Sequence, residues 1–284
     1  MPRKKRKKQP KRLQLNIWSV IRYALILVSV LIIYAYIEPH LLMVKRVEIV
    51  DEDIPQAFVG KKIAFLTDIH YGPYFTDKEV ERLVKKTNQL EPDIIILGGD
   101  YTDPNLHLVS PVFEKLKNLK AKYGIYAVLG NHDYWKEGNF TTHAIKDAGI
   151  TLLDNKSEWV EIDGERIKIG GIEDMWYGEP NYRATVQDVK REDFVILVSH
   201  NPDFAEKIIS KKVDLMLGGH HHGGQGTIFG LYAPVIYSKY GQKYRYGWVE
   251  KDDMKIFVSK GIGTIGTPIR FFAMPEIVVV ELKK

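Results

Sequence analysis

Short apolar runs alternate with helical patterns between residues 62 and 219. Five apolar runs bounded by turn residues predict buried strands, and stretches with helical spacing lie between them. Continuous apolar strands covered on both faces are typical of the buried sheet of an α/β sandwich. The predicted strands are residues 62–67, 93–99, 124–130, 194–200 and 214–219, and the predicted helices are 78–90, 109–121 and 204–210.

The second half of the chain adds a hairpin pattern. Residues 158–162 and 166–170 flank Asp163-Gly164, and an Asp-Gly pair favours a tight turn between antiparallel strands. A second hairpin and a last strand complete the prediction, which is an α/β fold that also contains antiparallel pairs. These later strands are residues 244–250, 255–260 and 276–282.

Residues 17–37 form an apolar run that predicts a transmembrane helix. As a helix, its 21 residues measure about 31 Å, close to the thickness of the hydrocarbon core of a bilayer. Its one charge, Arg22, lies near the end from which a long side chain can reach the headgroups. The alternative is a cleaved signal peptide, but Ala35-Tyr36-Ile37 offers no small-x-small cleavage site, so we favour an uncleaved anchor.

Positive charge is concentrated in the residues that precede the apolar run. The formal net charge is +5, yet the first twelve residues contain eight Lys or Arg and no acid, so residues 13–284 carry 33 − 36 = −3. A folded part without surplus positive charge disfavours nucleic-acid binding. The positive-inside rule predicts a cytoplasmic tail and an extracytoplasmic domain; the tail could also bind anionic lipid. The predicted division is a tail (1–16), an anchor (17–37), a connector with the first strand (38–60) and a folded domain (61–284).

Each of the five predicted buried strands leads directly into metal-binding residue types. The carboxyl ends of strands in α/β sheets are where ligands bind, so these side chains are expected at one edge. Because the chain has no Cys, a metal must use oxygen and imidazole ligands, which suit Mn, Fe or Zn. The segments are Asp68-Ile69-His70, Gly98-Gly99-Asp100, Gly130-Asn131-His132-Asp133, Ser199-His200 and Gly219-His220-His221-His222-Gly223.

Each segment alone also has an ordinary interpretation, as a cap, a turn or a surface loop. Their joint order at the ends of five successive strands favours a metal site. In this order they resemble the calcineurin-like metallophosphoesterase superfamily, over roughly residues 60–284. The anchor, the string from Gly219 to Gln225 and the ending Arg270-Phe271-Phe272 are most similar to its bacterial membrane-associated branch.

The resemblance implies a four-layer sandwich of two mixed β-sheets flanked by helices, here preceded by one transmembrane helix. It also implies two divalent metal ions, with Mn favoured, and a bridging hydroxide that attacks phosphorus. Two dications need an anion between them, which agrees with a shared carboxylate. One ion would be held by Asp68, His70, Asp100 and His222, and the other by Asp100, Asn131, His200 and His220.

The same resemblance assigns an acid to the leaving group. His132 would protonate the leaving oxygen, and Asp103 matches the position that orients it. Pro104 and Asp133 depart from the Arg and Glu of the family's protein phosphatases, which makes that activity doubtful here. His221 stands at a variable position and is not expected to be a ligand.

Substrate choice leaves only weak signals in the sequence. Arg270, Gln225 and Tyr71 are candidate substrate contacts, and ordinary loop packing is the alternative for each. The anchor favours a lipid phosphodiester or a lipid-linked nucleotide sugar, as in the members described as UDP-2,3-diacylglucosamine hydrolase-like. A non-catalytic anchored domain with structural metals is the alternative function, and the oligomeric state is not predicted. Aromatic residues that could line the site are Tyr74, Tyr134, Trp135, Trp176 and Tyr177.

Overall fold

The computed structural model describes residues 16–134 and 138–284. Two sequence predictions therefore lie outside the described residues, namely the cytoplasmic basic tail up to residue 15 and the role of Trp135. The structure is given below for the described ranges.

The first helix, α1, spans Ile17–Ile37 and has the predicted bounds. It starts at Asn16, whose side-chain oxygen accepts a hydrogen bond from Trp18 N at 3.2 Å. Together with the turn up to His40, it is long and apolar enough to cross a membrane, with a mean hydropathy of 2.3 and none of the apolar window buried. An apolar helix that packs so little against protein is suited to a lipid environment.

Two six-stranded sheets form the centre of the domain. Each sheet combines parallel and antiparallel neighbours, so both are mixed, as the sequence predicts. In spatial order, the first consists of β1 (Met43–Val50), β12 (Glu276–Lys283), β2 (Lys62–Leu66), β3 (Ile94–Leu97), β4 (Ile125–Ala127) and β5 (Thr151–Leu152). The second consists of β10 (Gly247–Lys251), β11 (Met254–Val258), β9 (Leu215–Gly218), β8 (Val195–Val198), β7 (Glu165–Gly171) and β6 (Lys156–Ile162).

Strand alternation distributes the core over both faces of the sheets. In β2, Ile63 and Phe65 belong to the cluster between the two sheets, whereas Ala64 and Leu66 belong to the cluster beneath the helices. The helices of the first layer are α2 (Asp77–Asn88), α3 (Val109–Leu116) and α4 (Gly138–Asp147). The outer face of the second sheet is covered by the short α5 (Arg183–Val186) and by a 3₁₀ turn. The order of layers is helices, first sheet, second sheet, helical turns, which confirms the predicted four-layer sandwich.

The 3₁₀ turn corrects one helix prediction. Residues 204–210 were expected to be helical, but the structure has a 3₁₀ helix at Pro202–Lys207 and an extended Ile208. Phe204 and Ile208 are both buried against the second sheet, so their helical spacing is met by one tight turn and the extended residue after it. Likewise, α3 ends five residues before the predicted end, and β10 begins at Gly247 rather than at residue 244.

The strands bring the predicted site segments to one edge. β2, β3 and β4 run parallel in the first sheet, and β8 and β9 run parallel in the second. Their carboxyl ends lead into the segments that begin near Asp68, Asp100, Asn131, His200 and His220. Packing the two sheets face to face therefore places loops from both at the same end of the domain.

Candidate metal centre

Two buried groups of side chains at this edge could each hold a metal ion. Within each group, the candidate ligand atoms lie within 4.8 Å of one another, and every member is buried. The side chains combine carboxylate oxygens with imidazole nitrogens, a donor set that fits Mn, Fe or Zn. The first group is Asp68, His70 and His222, and the second is Asp100, His200 and His220.

Asp100 lies between the two groups. Its Oδ2 is 3.2 Å from His200 Nε2 in the second group and 3.5 Å from His70 Nε2 in the first. In the first group, His222 Nε2 lies 3.4 Å from Asp68 Oδ1 and 3.2 Å from His70 Nε2. One carboxylate thus faces imidazoles of both groups, as a shared ligand of two ions would.

Asn131 supplies a further polar atom beside Asp100. Among the described residues, Asn131 Oδ1 and His220 Nε2 are buried without a hydrogen-bond partner. Such orphaned acceptors cost free energy unless a cation or water meets them, so the residues present fit a bound metal ion.

Backbone strain is concentrated in these same segments. Five of the twelve non-glycine residues with positive φ in the described part are predicted ligands. Left-handed backbone at residues other than Gly costs energy and is found where function requires a particular side-chain direction. The five are Asp68 (φ 55°), His70 (46°), Asp100 (55°), His220 (67°) and His222 (50°).

Surrounding hydrogen bonds orient the ligand candidates. His200 Nδ1 lies 2.8 Å from Gly98 O, so this nitrogen donates and Nε2 faces the cluster. Asp68 accepts from Thr67 Oγ1 at 2.8 Å and from the backbone N–H of His220 at 3.0 Å. Gly219 is required here, because a Cβ would lie 2.4 Å from Asp68 Oδ2.

The charges of the groups favour a cation. Burial lowers the pKa of His220 and His222 well below the usual value, and neighbouring histidines lower it further, so both imidazoles are neutral. Burial opposes a charge on His200, but Asp100 and other carboxylates outweigh it and raise its pKa to about 10. Acids that hold a proton on a buried histidine would also attract a divalent ion.

His132 lies on the wall of a cavity next to the metal residues. The cavity has a volume of about 390 Å³, and its lining includes Asp100, Asn131 and His220. The backbone N–H of His132 donates to Asp100 Oδ1 at 2.8 Å. Burial, together with the nearby His70 and His200, lowers the His132 pKa despite the carboxylate of Asp100.

The carboxylate of Asp103 lies near two histidines of the site, His70 and His132. Its Oδ1 lies 3.5 Å from His70 Nδ1, the ring nitrogen opposite the one that faces the cluster. A carboxylate at His70 Nδ1 fixes the tautomer of a ligand histidine. The charge of Asp103 also raises the pKa of His132, against the stronger effect of burial, so the expectation that Asp103 orients His132 stays a prediction.

The three candidate substrate contacts occupy different places. Gln225 lines the cavity, and its amide is bonded to the backbone of Ile265 at 3.0 and 2.9 Å. Tyr71 donates to Asp77 at 2.5 Å and is not among the described residues that line the cavity.

Arg270 is fully buried behind His222. Its guanidinium donates to the backbone carbonyls of Lys260, Gly263 and Ala273 and lies 3.3 Å from His222 Nδ1. The bonds to backbone carbonyls use four of the five N–H groups of the guanidinium. The arrangement does not support the expected phosphate contact, because Arg270 bonds to the protein's own backbone.

Two acids with a positioning role were not recognised in the sequence. Asp133 accepts from the backbone N–H groups of Asp100, Tyr101 and Gly130 at 2.7 to 3.0 Å and so ties two ligand loops together. Its place directly after His132 was the available signal. Asp174 accepts from Trp176 N at 2.8 Å, and the Trp176 ring centroid lies 4.5 Å from that of His220.

Fold and site together define a class of protein: an α/β sandwich that binds divalent metal ions at its strand ends. Residues 61–224 match the family model described as calcineurin-like phosphoesterase. The chain therefore belongs to the calcineurin-like phosphoesterase family and is a metal-dependent phosphoesterase, as the sequence motifs predicted.

Comparison with known proteins agrees with this assignment. The chain is 34% identical to the uncharacterized metallophosphoesterase YkuE of Bacillus subtilis, over 87% of this chain and 88% of that protein. It is 30% identical to a zebrafish (Danio rerio) transmembrane protein with a metallophosphoesterase domain, over 92% of this chain and 62% of that protein. The fold is similar to Haemophilus influenzae NAD nucleotidase, with a TM-score of 0.50, 15% identity and coverage of 71% and 45% of the two chains.

Proposed function

We propose that this chain is a membrane-anchored phosphoesterase that uses two divalent metal ions to hydrolyse a phosphomonoester, phosphodiester or pyrophosphate bond of a membrane lipid. The position of Asp100 between the two buried ligand groups carries the two-metal part of the proposal. The carboxylate, amide and imidazole donors suit Mn, Fe or Zn, and of these we propose Mn, which the family resemblance favours. When bound, the ions supply Lewis-acid activation of water and neutralise phosphoryl charge.

The protein's own groups supply proton transfer and substrate placement. His132 lies on the cavity wall and is proposed to give a proton to the leaving oxygen. A phosphate ester in the cavity brings negative charge beside this ring, which raises its pKa from the lowered value of the free enzyme. Asp103 is proposed to hold His70, and Asp133 to hold the ligand loops, in the orientation that binding requires.

Apolar walls and the anchor support a lipid substrate. Besides the metal residues, the lining of the cavity includes Val235, Ile236 and Ile269. Such a wall can accept acyl or aromatic groups next to the reacting phosphate. α1 supports membrane anchoring, and the charge of the tail before it supports an extracytoplasmic domain. A lipid phosphodiester or a lipid-linked nucleotide sugar meets both conditions.

Metal analysis combined with turnover of bis-p-nitrophenyl phosphate tests the proposal. Full-length protein in detergent should contain two divalent ions per chain and hydrolyse the ester, and Asp100→Asn should not. Asp163→Asn is a matched control, because both acids have positive φ and Asp163 lies on an exposed hairpin turn. Bound metal without turnover of any phosphate ester would favour the alternative, an anchored domain with structural metals.

A further inference from the structure

Residues 228–240 present exposed apolar and aromatic side chains next to the cavity. Leu231 is 82% exposed, Val235 63% and Phe229 61%. Residues 223–249 contain three Lys or Arg and no Asp or Glu. Of these cations, Lys239 is exposed, whereas Arg245 is buried and Lys243 pairs with Glu206. An exposed apolar surface of this kind marks an interaction site for an apolar partner.

The exposed segment is held in place by hydrogen bonds. Arg245, itself buried, donates to the carbonyls of Gly230 and Leu231 at 2.9 and 3.2 Å. Asp203 accepts from Ser238 Oγ at 2.6 Å and from Lys239 N at 2.7 Å. Because both ends are fixed to the domain, the apolar side chains are displayed in a defined arrangement.

This segment adjoins the end of α1. The ring of Phe272 lies 5.4 Å from that of Tyr34 in α1 and 5.4 Å from that of Phe229. Tyr34 lies three residues before the last residue of α1, about 4.5 Å along the helix axis. Phe229 is thus linked through one aromatic ring to the last turn of α1, where the helix would leave the hydrocarbon core.

The domain is also joined to α1 in a fixed orientation. Glu38, immediately after α1, is fully buried and accepts hydrogen bonds from the backbone N–H groups of Phe272, at 2.7 Å, and Ala273. The backbone N–H of Arg270 donates to Ala35 O in the last turn of α1 at 3.0 Å. The end of the anchor therefore determines which face of the domain is turned toward the bilayer.

We propose that residues 228–240 dock into the interfacial layer of the bilayer that α1 spans. The inference rests on the proposed anchoring by α1 and adds a second contact with the same membrane. Aromatic and apolar side chains beside the exposed Lys239 suit the headgroup boundary, where Tyr contributes an apolar ring and a polar hydroxyl. Val235, Ile236 and Tyr237 also line the cavity, so its apolar wall begins at the membrane surface.

Single-cysteine labelling tests the docking, since the chain has no Cys of its own. Full-length Val28→Cys, Leu231→Cys and Ile209→Cys are each labelled with an NBD fluorophore in nanodiscs of phosphatidylcholine and phosphatidylglycerol. Val28 lies in α1 and reports on the anchor. Ile209 is the control: it is 90% exposed but precedes β9, at the opposite edge from the metal centre.

Lipid-borne nitroxide quenchers should reduce the fluorescence at positions 28 and 231 but not at 209. Quenching at 28 without quenching at 231 would overturn the docking and leave the anchor intact. No quenching at 28 would overturn the anchor and the docking with it. Both readouts are independent of catalysis, so a chain that hydrolyses no ester would refute the proposed function without affecting the docking result.

Activity gives a second readout. Leu231→Asp should reduce turnover of phosphatidyl-p-nitrophenol in vesicles about tenfold or more, because burial of a Leu side chain contributes about 1.5–3 kcal/mol. Turnover of soluble bis-p-nitrophenyl phosphate should stay unchanged, and Ile209→Asp should affect neither ester. An equal effect of Leu231→Asp on both esters would contradict docking as the cause.

Discussion

Asp100 Oδ2 lies 3.2 Å from His200 Nε2, and both side chains are buried at the junction of the two ligand groups. Burial disfavours a charge on Asp100, but His200, His70 and His132 outweigh it and hold the pKa of this carboxyl well below its usual range. Asp100 is therefore ionised, which is the form that a metal ion requires.

Removing the charge of Asp100 should weaken metal binding more than removing one imidazole ligand does. We expect Asp100→Asn to lose both metal ions, whereas His70→Ala weakens one of them. The loss in affinity should exceed the roughly 10–100-fold cost of losing an outer-shell partner. Elemental analysis after gel filtration measures both variants, with Asp163→Asn as the control. Two metal equivalents retained by Asp100→Asn would contradict the bridging role.

His132→Ala should reduce turnover according to the leaving group. A missing acid costs about 10²–10⁴-fold when the leaving oxygen is a poor leaving group, and much less for p-nitrophenolate. The kcat values for alkyl and p-nitrophenyl esters are compared in protein with unchanged metal content. The exposed His107→Ala is a suitable control. An equal loss on both kinds of ester would assign His132 another role.

Asp214 should make stability depend on pH at the edge of the domain opposite the metal centre. Burial, together with Asp51 and Asp53, raises its pKa to about 7, although Val195 N donates to it at 2.7 Å. The folded state therefore retains a proton that the unfolded state releases near pH 4. Its contribution to stability is complete below that pH and is lost as pH rises to about 7.

Asp214→Asn should remove this dependence, because an amide side chain does not titrate. The variant should still fold, since Asn can accept the hydrogen bond from Val195 N. Thermal unfolding of the full chain in detergent between pH 5 and pH 8 measures the difference from the wild type, at most about 1.4 kcal/mol per pH unit. Asp252→Asn, whose side chain is 71% exposed, is the control. Parallel pH profiles of wild type and Asp214→Asn would contradict the assignment.

Protease protection should report the orientation of the chain. Eight positive charges before the apolar run predict that a tag before Met1 stays protected in intact spheroplasts while the catalytic domain is digested. An uncleaved anchor also predicts full-length protein in the membrane fraction. A digested tag with a surviving domain would invert the orientation, and a mature chain that begins near His40 would indicate a signal peptide.

Local sequence patterns determined the elements that carry the site. β2, β3, β4, β8 and β9 appear where apolar runs predict them, and α1 has the predicted bounds, because strand burial and helix length are properties of neighbouring residues. The family motifs follow these strands directly, so the family could be predicted from the sequence.

Contacts between distant parts of the chain were decided only by the tertiary structure. His70 and His222 are 152 residues apart, and their approach depends on how the two sheets pack, which no periodicity encodes. The same holds for Asp103 beside His70 and for Arg270 bonded to backbone carbonyls behind His222. Whether a polar side chain meets a ligand or the protein's own backbone depends on this packing, since a buried donor is satisfied by whichever acceptor the fold brings within reach.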